Sequence, residues 1–123
     1  MVPILKQGKL LIATLPAELT DADLMQFRDD LAEKVGTVRA TGVIVDVTAL
    51  DVMDSFSART IRGVAHAVRL RGARTVVVGI QPEVAFAMVQ LGLSLEGVDT
   101  ALDLEEGLAY LNRLAKRKVK HGK

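Results

Sequence analysis

The segment Asp51-Val52-Met53-Asp54-Ser55-Phe56-Ser57-Ala58-Arg59-Thr60 sets three hydroxyls beside two carboxylates and a guanidinium, and another carboxylate, Asp46, stands just upstream. Two kinds of chemistry suit such a set. Clustered aspartates at a strand end can hold Mg²⁺ and accept a phosphoryl group. That chemistry also wants acids at the end of the first strand and a lysine on a later one. The run Leu10 to Leu15 supplies no acid, and no lysine lies between Lys34 and Lys116, so a metal-dependent enzyme built on Asp46, Asp51 and Asp54 fits poorly. A hydroxyl can instead act alone. At a helix start, Asp54 or Ser55 serves as N-cap with Ser57 in the first turn, or Ser55 is a phosphoacceptor offered to a kinase. Spacing leaves both readings open, because a good cap and an accessible hydroxyl are the same residue type in the same place.

Other chemistries lack their residues. The chain has no cysteine, which removes disulfides, thiolate nucleophiles, Cys-ligated zinc and iron–sulfur clusters. The two histidines, His66 and His121, have no partner at four-residue spacing, and His66 is expected as a surface or half-buried packing residue. No glycine-rich phosphate loop is present, and Asp51 to Asp54 contains no glycine. No metal and no cofactor is predicted.

The elements around this segment are legible from hydrophobic periodicity. Ile4-Leu5 and Leu10 to Leu15 read as a hairpin turning near Gln7-Gly8-Lys9. Thr20 and Asp23 form a capping box ahead of Leu24, Phe27, Leu31 and Val35, a helix face ending near Gly36. Val43 to Thr48 is a β-branched run suited to a buried strand. Ser55 to Arg71 carries Ile61, Val64, Ala65 and Val68 at helical spacing, with Gly72 as terminator. Arg74 to Ile80 is a second buried strand. Pro82 opens a helix at its first position, with Val84, Met88 and Leu91 inward and Gly92 at its end. A very short strand fits around Val98-Asp99-Thr100. Asp103 to Glu106 is a second capping box, before Leu104, Leu108, Leu111 and Leu114. The order β-β-α-β-α-β-α-(β)-α predicts a single α/β domain with a mixed, mostly parallel sheet and right-handed crossovers. Residues 1–115 are read as that domain and residues 116–123 as a disordered basic tail.

Composition agrees. With 123 residues, one core suffices. The hydrophobic fraction of 50% against 3% aromatics calls for an aliphatic core, and a net charge of +1 gives no field that implies nucleic acid. No run approaches the length of a membrane span, and the N-terminus lacks signal-peptide features. A soluble, cytoplasmic domain that binds neither nucleic acid nor membrane is expected. The basic tail has no aromatic platforms for a nucleic acid and reads as a solubilising end.

Asp46-Val47-Thr48, Met53-Asp54-Ser55 and the element order resemble the STAS domain of anti-anti-sigma factors. Pro3-Ile4-Leu5-Lys6, Asp54-Ser55-Phe56, Gly79-Ile80-Gln81-Pro82 and Ala101-Leu102-Asp103-Leu104-Glu105 are similar, more narrowly, to the RsbS-type stressosome scaffolds, from Pro3 to about Leu114. The resemblance implies a non-catalytic protein that joins an RsbR-like STAS co-scaffold in a large assembly and sequesters an RsbT-like switch serine/threonine kinase. It implies release of that kinase on phosphorylation of Ser55, and resetting by a PP2C-type phosphatase. Self-association as a dimer within the assembly is expected. Asp51, Met53, Asp54 and Phe56 flank the acceptor as candidate kinase-docking residues. Val52, Met53 and Phe56 read either as packing under the turn or, for one of them and Met53 foremost, as an exposed anchor. Ser57 and Thr60 are further hydroxyls within reach of a kinase.

A phosphoserine adds about −1.5 to −2 charge. A helix N-terminus favours it by roughly 0.3–1 kcal/mol, and Asp51 and Asp54 oppose it by about 1 kcal/mol. The terms nearly cancel, so a phosphate at Ser55 is expected to act between molecules and not to refold the domain. The alternative is a small-molecule or nucleotide-binding STAS-like regulatory domain, its anion held at the helix N-termini near Ser55 and Gln81-Pro82.

Overall fold

The computed structural model describes residues 1–121. Strands β1 (Ile4–Gln7) and β2 (Leu10–Thr14) form the expected hairpin, turning through Gly8 at φ +61°. Helix α1 (Asp21–Val38) follows, then β3 (Gly42–Asp46), α2 (Ser55–Leu70), β4 (Arg74–Val78), α3 (Pro82–Gln90), β5 (Asp99–Ala101) and α4 (Leu104–His121). The sheet runs β1-β2-β3-β4-β5, with the first pair antiparallel and the rest parallel. Each parallel crossover moves one strand along in the same direction. With right-handed connections this puts α1, α2 and α3 on one face, and α4 covers the other.

Alternation along the strands feeds both faces. Leu11, Ala13, Val43, Val45 and Val77 point into the larger core with Phe27, Leu31, Ile61, Val64, Val84 and Met88. Ile12, Ile44, Val76 and Val78 face Leu111 of α4. Phe27 is the one aromatic among the buried residues, so the core is aliphatic, as the composition requires. Gly107 lets α4 lie close to the sheet, since a Cβ there would stand 2.7 Å from Val78 Cγ1. Asp99 ties β5 down by accepting from Arg74 Nη2 at 3.0 Å and from the Tyr110 hydroxyl at 2.9 Å. Burial first, and the bond to Asp99 second, push the Tyr110 hydroxyl above its ordinary pKa.

Several element boundaries differ from the sequence reading, three of them for a visible reason. Helix α1 runs past Gly36 and ends where Arg39 turns left-handed (φ 54°) and Ala40 N–H donates to Val35 O. Gly36 lies inside the helix, where its bare Cα makes room for the Arg71 guanidinium, which a Cβ would overlap. Strand β3 stops at Asp46, because the Asp46 carboxylate draws Thr48 into a turn. Finally, α4 continues through residues 116–121, where the chain was expected to fray. Lysine and arginine are good helix formers that suit a helix C-terminus, and no glycine or proline intervenes before Gly122. Residues 122–123 of the expected tail lie outside the described residues.

Candidate functional site

The C-terminal ends of four parallel strands lie in register, with Thr14 beside Asp46, Asp46 beside Val78 and Val78 beside Ala101. The loops leaving this edge hold the residues singled out above. In such sheets the carboxyl edge is where sites are built.

The loop from β3 to α2 is braced at several points. Val47 N–H donates to Val78 O and Leu50 N–H to Val47 O, both at 3.0 Å. Asp46 Oδ1 accepts from Thr48 N at 2.9 Å and from Thr48 Oγ1 at 2.6 Å. Gln81 Nε2 crosses from the next loop and donates to Thr48 O at 2.7 Å and to Asp51 Oδ1 at 3.4 Å. Gly79 closes the arrangement. Its φ of +80° favours glycine, and a Cβ there would overlap Thr48 Oγ1 and stand 3.1 Å from Thr48 Cβ. The Asp46-Val47-Thr48 and Gly79-Ile80-Gln81-Pro82 motifs are thus two halves of one brace.

Beneath the loop, Leu50 and Met53 are buried, Met53 to 3% exposure, whereas Val52 is 73% exposed. Met53 therefore packs under the turn and is not an exposed anchor, and the exposed apolar side chain of the loop is Val52. The reason is local. Met53 precedes the cap of α2 and occupies the staple position that pairs with the fourth helical residue, Ala58; both belong to the same buried cluster. Phe56 is half-buried, and Asp51 is exposed.

The cap of α2 is Asp54, which accepts from Ser57 N–H at 2.8 Å. That bond foremost holds the Asp54 carboxyl below its ordinary pKa, so an ionised group sits at the positive end of the helix. Ser55 is then the first helical residue. It is exposed, and its hydroxyl is not the capping group. The three hydroxyls are not equivalent. Thr60 Oγ1 donates to Phe56 O at 2.8 Å within its own helix. Ser57 is half-buried and lines a cleft of about 190 Å³ with Leu19, Asp21, Asp51, Val52 and Asp54.

The three aspartates are drawn into separate tasks. Asp46 holds Thr48, Asp51 meets Gln81 and Asp54 caps α2. Among the described residues, no group of three or more His, Asp or Glu is placed to hold a metal ion. His66 is exposed on α2, and its Nε2 lies where a Cβ on Gly97 would approach to 2.9 Å. No helix among the described residues is long and apolar enough to cross a membrane.

Sequence reasoning missed Gln81 and Thr48 as the brace, although Gly79 directly after a strand was a usable signal. It named Val52 among three candidates for exposure but put Met53 ahead of it. Nothing in an irregular loop without periodicity separates it from its neighbour Met53.

The STAS domain family matches residues 2–107. RsbS of Moorella thermoacetica, solved as a serine-to-glutamate variant, is 35% identical, with a TM-score of 0.81 over 94% of this chain and 97% of that one. A structure of the stressosome, described as a signal integration and transduction hub, is 32% identical with a TM-score of 0.75, over 93% of this chain and 99% of that chain. The RsbT co-antagonist protein RsbRA of Bacillus subtilis is 34% identical over 91 residues, which make up 74% of this chain and 33% of that protein. The chain spans about a third of the length of the curated relatives it matches first. This chain belongs to the STAS domain family and is similar to the RsbS and RsbR proteins of the stressosome.

Proposed function

We propose that this STAS domain is a non-catalytic stressosome scaffold that sequesters an RsbT-like switch kinase and releases it when Ser55 is phosphorylated. The observation that carries the reading is the division of labour at the head of α2. Asp54 serves as cap, so the Ser55 hydroxyl stands exposed in the first turn, on a loop pinned by Gly79, Thr48 and Gln81. A rigid, exposed hydroxyl next to the exposed Val52 suits a surface that a kinase both grips and modifies. In the transfer, Ser55 Oγ bonds to the γ-phosphorus of ATP, the bond to the β,γ-bridging oxygen breaks, ADP leaves and the hydroxyl proton passes to the kinase.

The added charge acts across the interface. An unpaired charge trapped there typically costs about 2–5 kcal/mol, a loss of roughly 30- to 4,000-fold in affinity. An RsbR-like co-scaffold and further copies of this domain complete the assembly, and a PP2C-type phosphatase removes the phosphate. The relative named as an RsbT co-antagonist supports the choice of kinase.

The test is calorimetric titration of the cognate switch kinase into unmodified, Ser55-phosphorylated, Ser55→Ala and Ser55→Asp protein. Ser55→Ala is expected to keep the affinity, and the phosphorylated form to lose at least thirtyfold. Equal affinity for the unmodified and phosphorylated forms overturns the reading.

A further inference from the structure

The outward face of α2 carries a row that the proposed switch does not use. Ser55, Arg59, Arg62, His66 and Arg69 recur at alternating spacings of four and three. At 3.6 residues per turn they fall within about 80° of arc, with Ser55 at the head of the stripe and near the middle of that arc. The adjoining side of the helix, Ala58, Ile61, Val64, Ala65 and Val68, is buried. Arg59, His66 and Arg69 are exposed and Arg62 is half-exposed. Among the described residues the ion pairs are Arg28–Asp29 and Arg74–Asp99; the arginines of this stripe take part in neither. Arg59 Nε folds back toward the helix head and donates to Ser55 O at 3.4 Å. Arg59, Arg62 and His66 also line an open groove whose far wall is Glu96 and Gly97.

Resting on the Ser55 reading, we propose that this stripe is the electrostatic half of the kinase-docking surface, that the kinase meets it with a row of carboxylates, and that the Ser55 phosphate silences it from within. Three arginines in no ion pair among the described residues keep their charge for an opposing surface. Their alignment with the acceptor serine places that surface where a kinase must approach. A phosphate on Ser55 stands one helical turn from Arg59, in the acid-before-base order that favours an i,i+4 pair. It therefore takes the nearest guanidinium away from the partner and presents a like charge to the partner's carboxylates. A nucleic acid or an anionic membrane fits less well. Asp51 and Asp54 stand at the head of the stripe and Glu96 along its flank, and the apolar side of α2 is consumed by the core.

The test reverses charge away from the acceptor. Arg62→Glu with Arg69→Glu is compared with wild type for binding of the cognate switch kinase by stopped flow, at several salt concentrations. Urea midpoints are measured alongside to verify that both proteins are folded. Charges of this kind act chiefly on association rate and salt dependence. The expected result is an association rate at least tenfold lower at low salt, with a flattened salt dependence. A wild-type rate and salt slope in the folded variant overturn the proposal. So does capture of the wild-type domain by heparin or phosphatidylserine vesicles, lost in the variant while kinase binding is unchanged. If Ser55 phosphorylation still weakens binding in those cases, only the stripe falls. If the kinase binds no form of the domain, the stripe and the Ser55 reading fall together. Should Arg62→Glu with Arg69→Glu fail to fold, Arg62→Gln with Arg69→Gln carries the same comparison, with a smaller drop in rate expected and an unchanged rate overturning the proposal.

Discussion

Gly79→Ala tests whether the brace under the Ser55 loop is real. A side chain at φ +80° costs about 1–2 kcal/mol in backbone strain. The new Cβ would also overlap Thr48 Oγ1 and stand 3.3 Å from Asp46 Oδ1, so Thr48 must leave. Its two bonds to Asp46 and the carbonyl bond to Gln81 loosen with it. At about 0.5–1.5 kcal/mol for a net hydrogen bond, and with this part of the loop exposed to compensating water, the total is about 2–4 kcal/mol. Urea denaturation measures it as a midpoint lowered by about 1–2 M at an ordinary slope. The discriminating experiment is a cycle with Thr48→Ala. Without Oγ1 the severe overlap is gone, leaving the strain and the milder approaches to Thr48 Cβ and Asp46 Oδ1, so Gly79→Ala should cost about 1–2 kcal/mol less in that background. Additivity of the two substitutions within about 0.5 kcal/mol would refute the contact and, with it, the account of why the two motifs occur together.

Three more outcomes follow from single residues. Asp54→Ala should cost about 1 kcal/mol near neutral pH through loss of the cap. Because the folded pKa of Asp54 lies below its unfolded value of 3.8, the contribution is present above that value and fades as pH falls through the folded pKa. Urea unfolding at neutral and strongly acid pH should show the gap between variant and wild type closing, and a gap that widens in acid would contradict the cap. Thr75→Val should raise stability by up to about 1 kcal/mol, since the buried Thr75 hydroxyl has no hydrogen-bond partner among the described residues; a thermal melt lowered by several degrees would count against it. Met53→Ala should cost about 2–5 kcal/mol and Val52→Ser less than about 0.5 kcal/mol, and the reverse order in urea unfolding would overturn their placement.

What the sequence made legible, and what it hid, divides along a physical line. Strands β3 and β4 were plain because Val43-Ile44-Val45 and Val76-Val77-Val78 are buried on both faces and read as unbroken apolar runs. Helices α1 and α2 were plain because Leu24, Phe27, Leu31 and Val35, and Ile61, Val64 and Val68, repeat at the helical period. The Thr20–Asp23 capping box forms as its residue types demand. The loop did not follow from pattern. Whether Asp54 or Ser55 caps α2 depends on which backbone N–H each can reach, and that is settled by a bond to Ser57. The inward turn of Met53, the outward turn of Val52 and the reach of Gln81 to a loop about thirty residues earlier are tertiary facts with no local signature. Gly36 shows the opposite error. A glycine near the end of a periodic run looked like a stop, but it serves the neighbouring Arg71.

The lone helix on the second face has a kinetic consequence. Helix α4 lies over β3, β4 and β5, while Leu5 of β1, which stands opposite Ile12 on that side, is 65% exposed. The hairpin is thus sheathed from one side, and its outer strand has a neighbour along one edge only. Its amides should lose protons to deuterium through partial openings well below the free energy of global unfolding, while those of β3 and β4 wait for the whole chain to come apart. The loop that leads to Ser55 leaves from β3, two strands in from β1, so the molecule can loosen at that outermost strand while the strand beneath Ser55 stays paired.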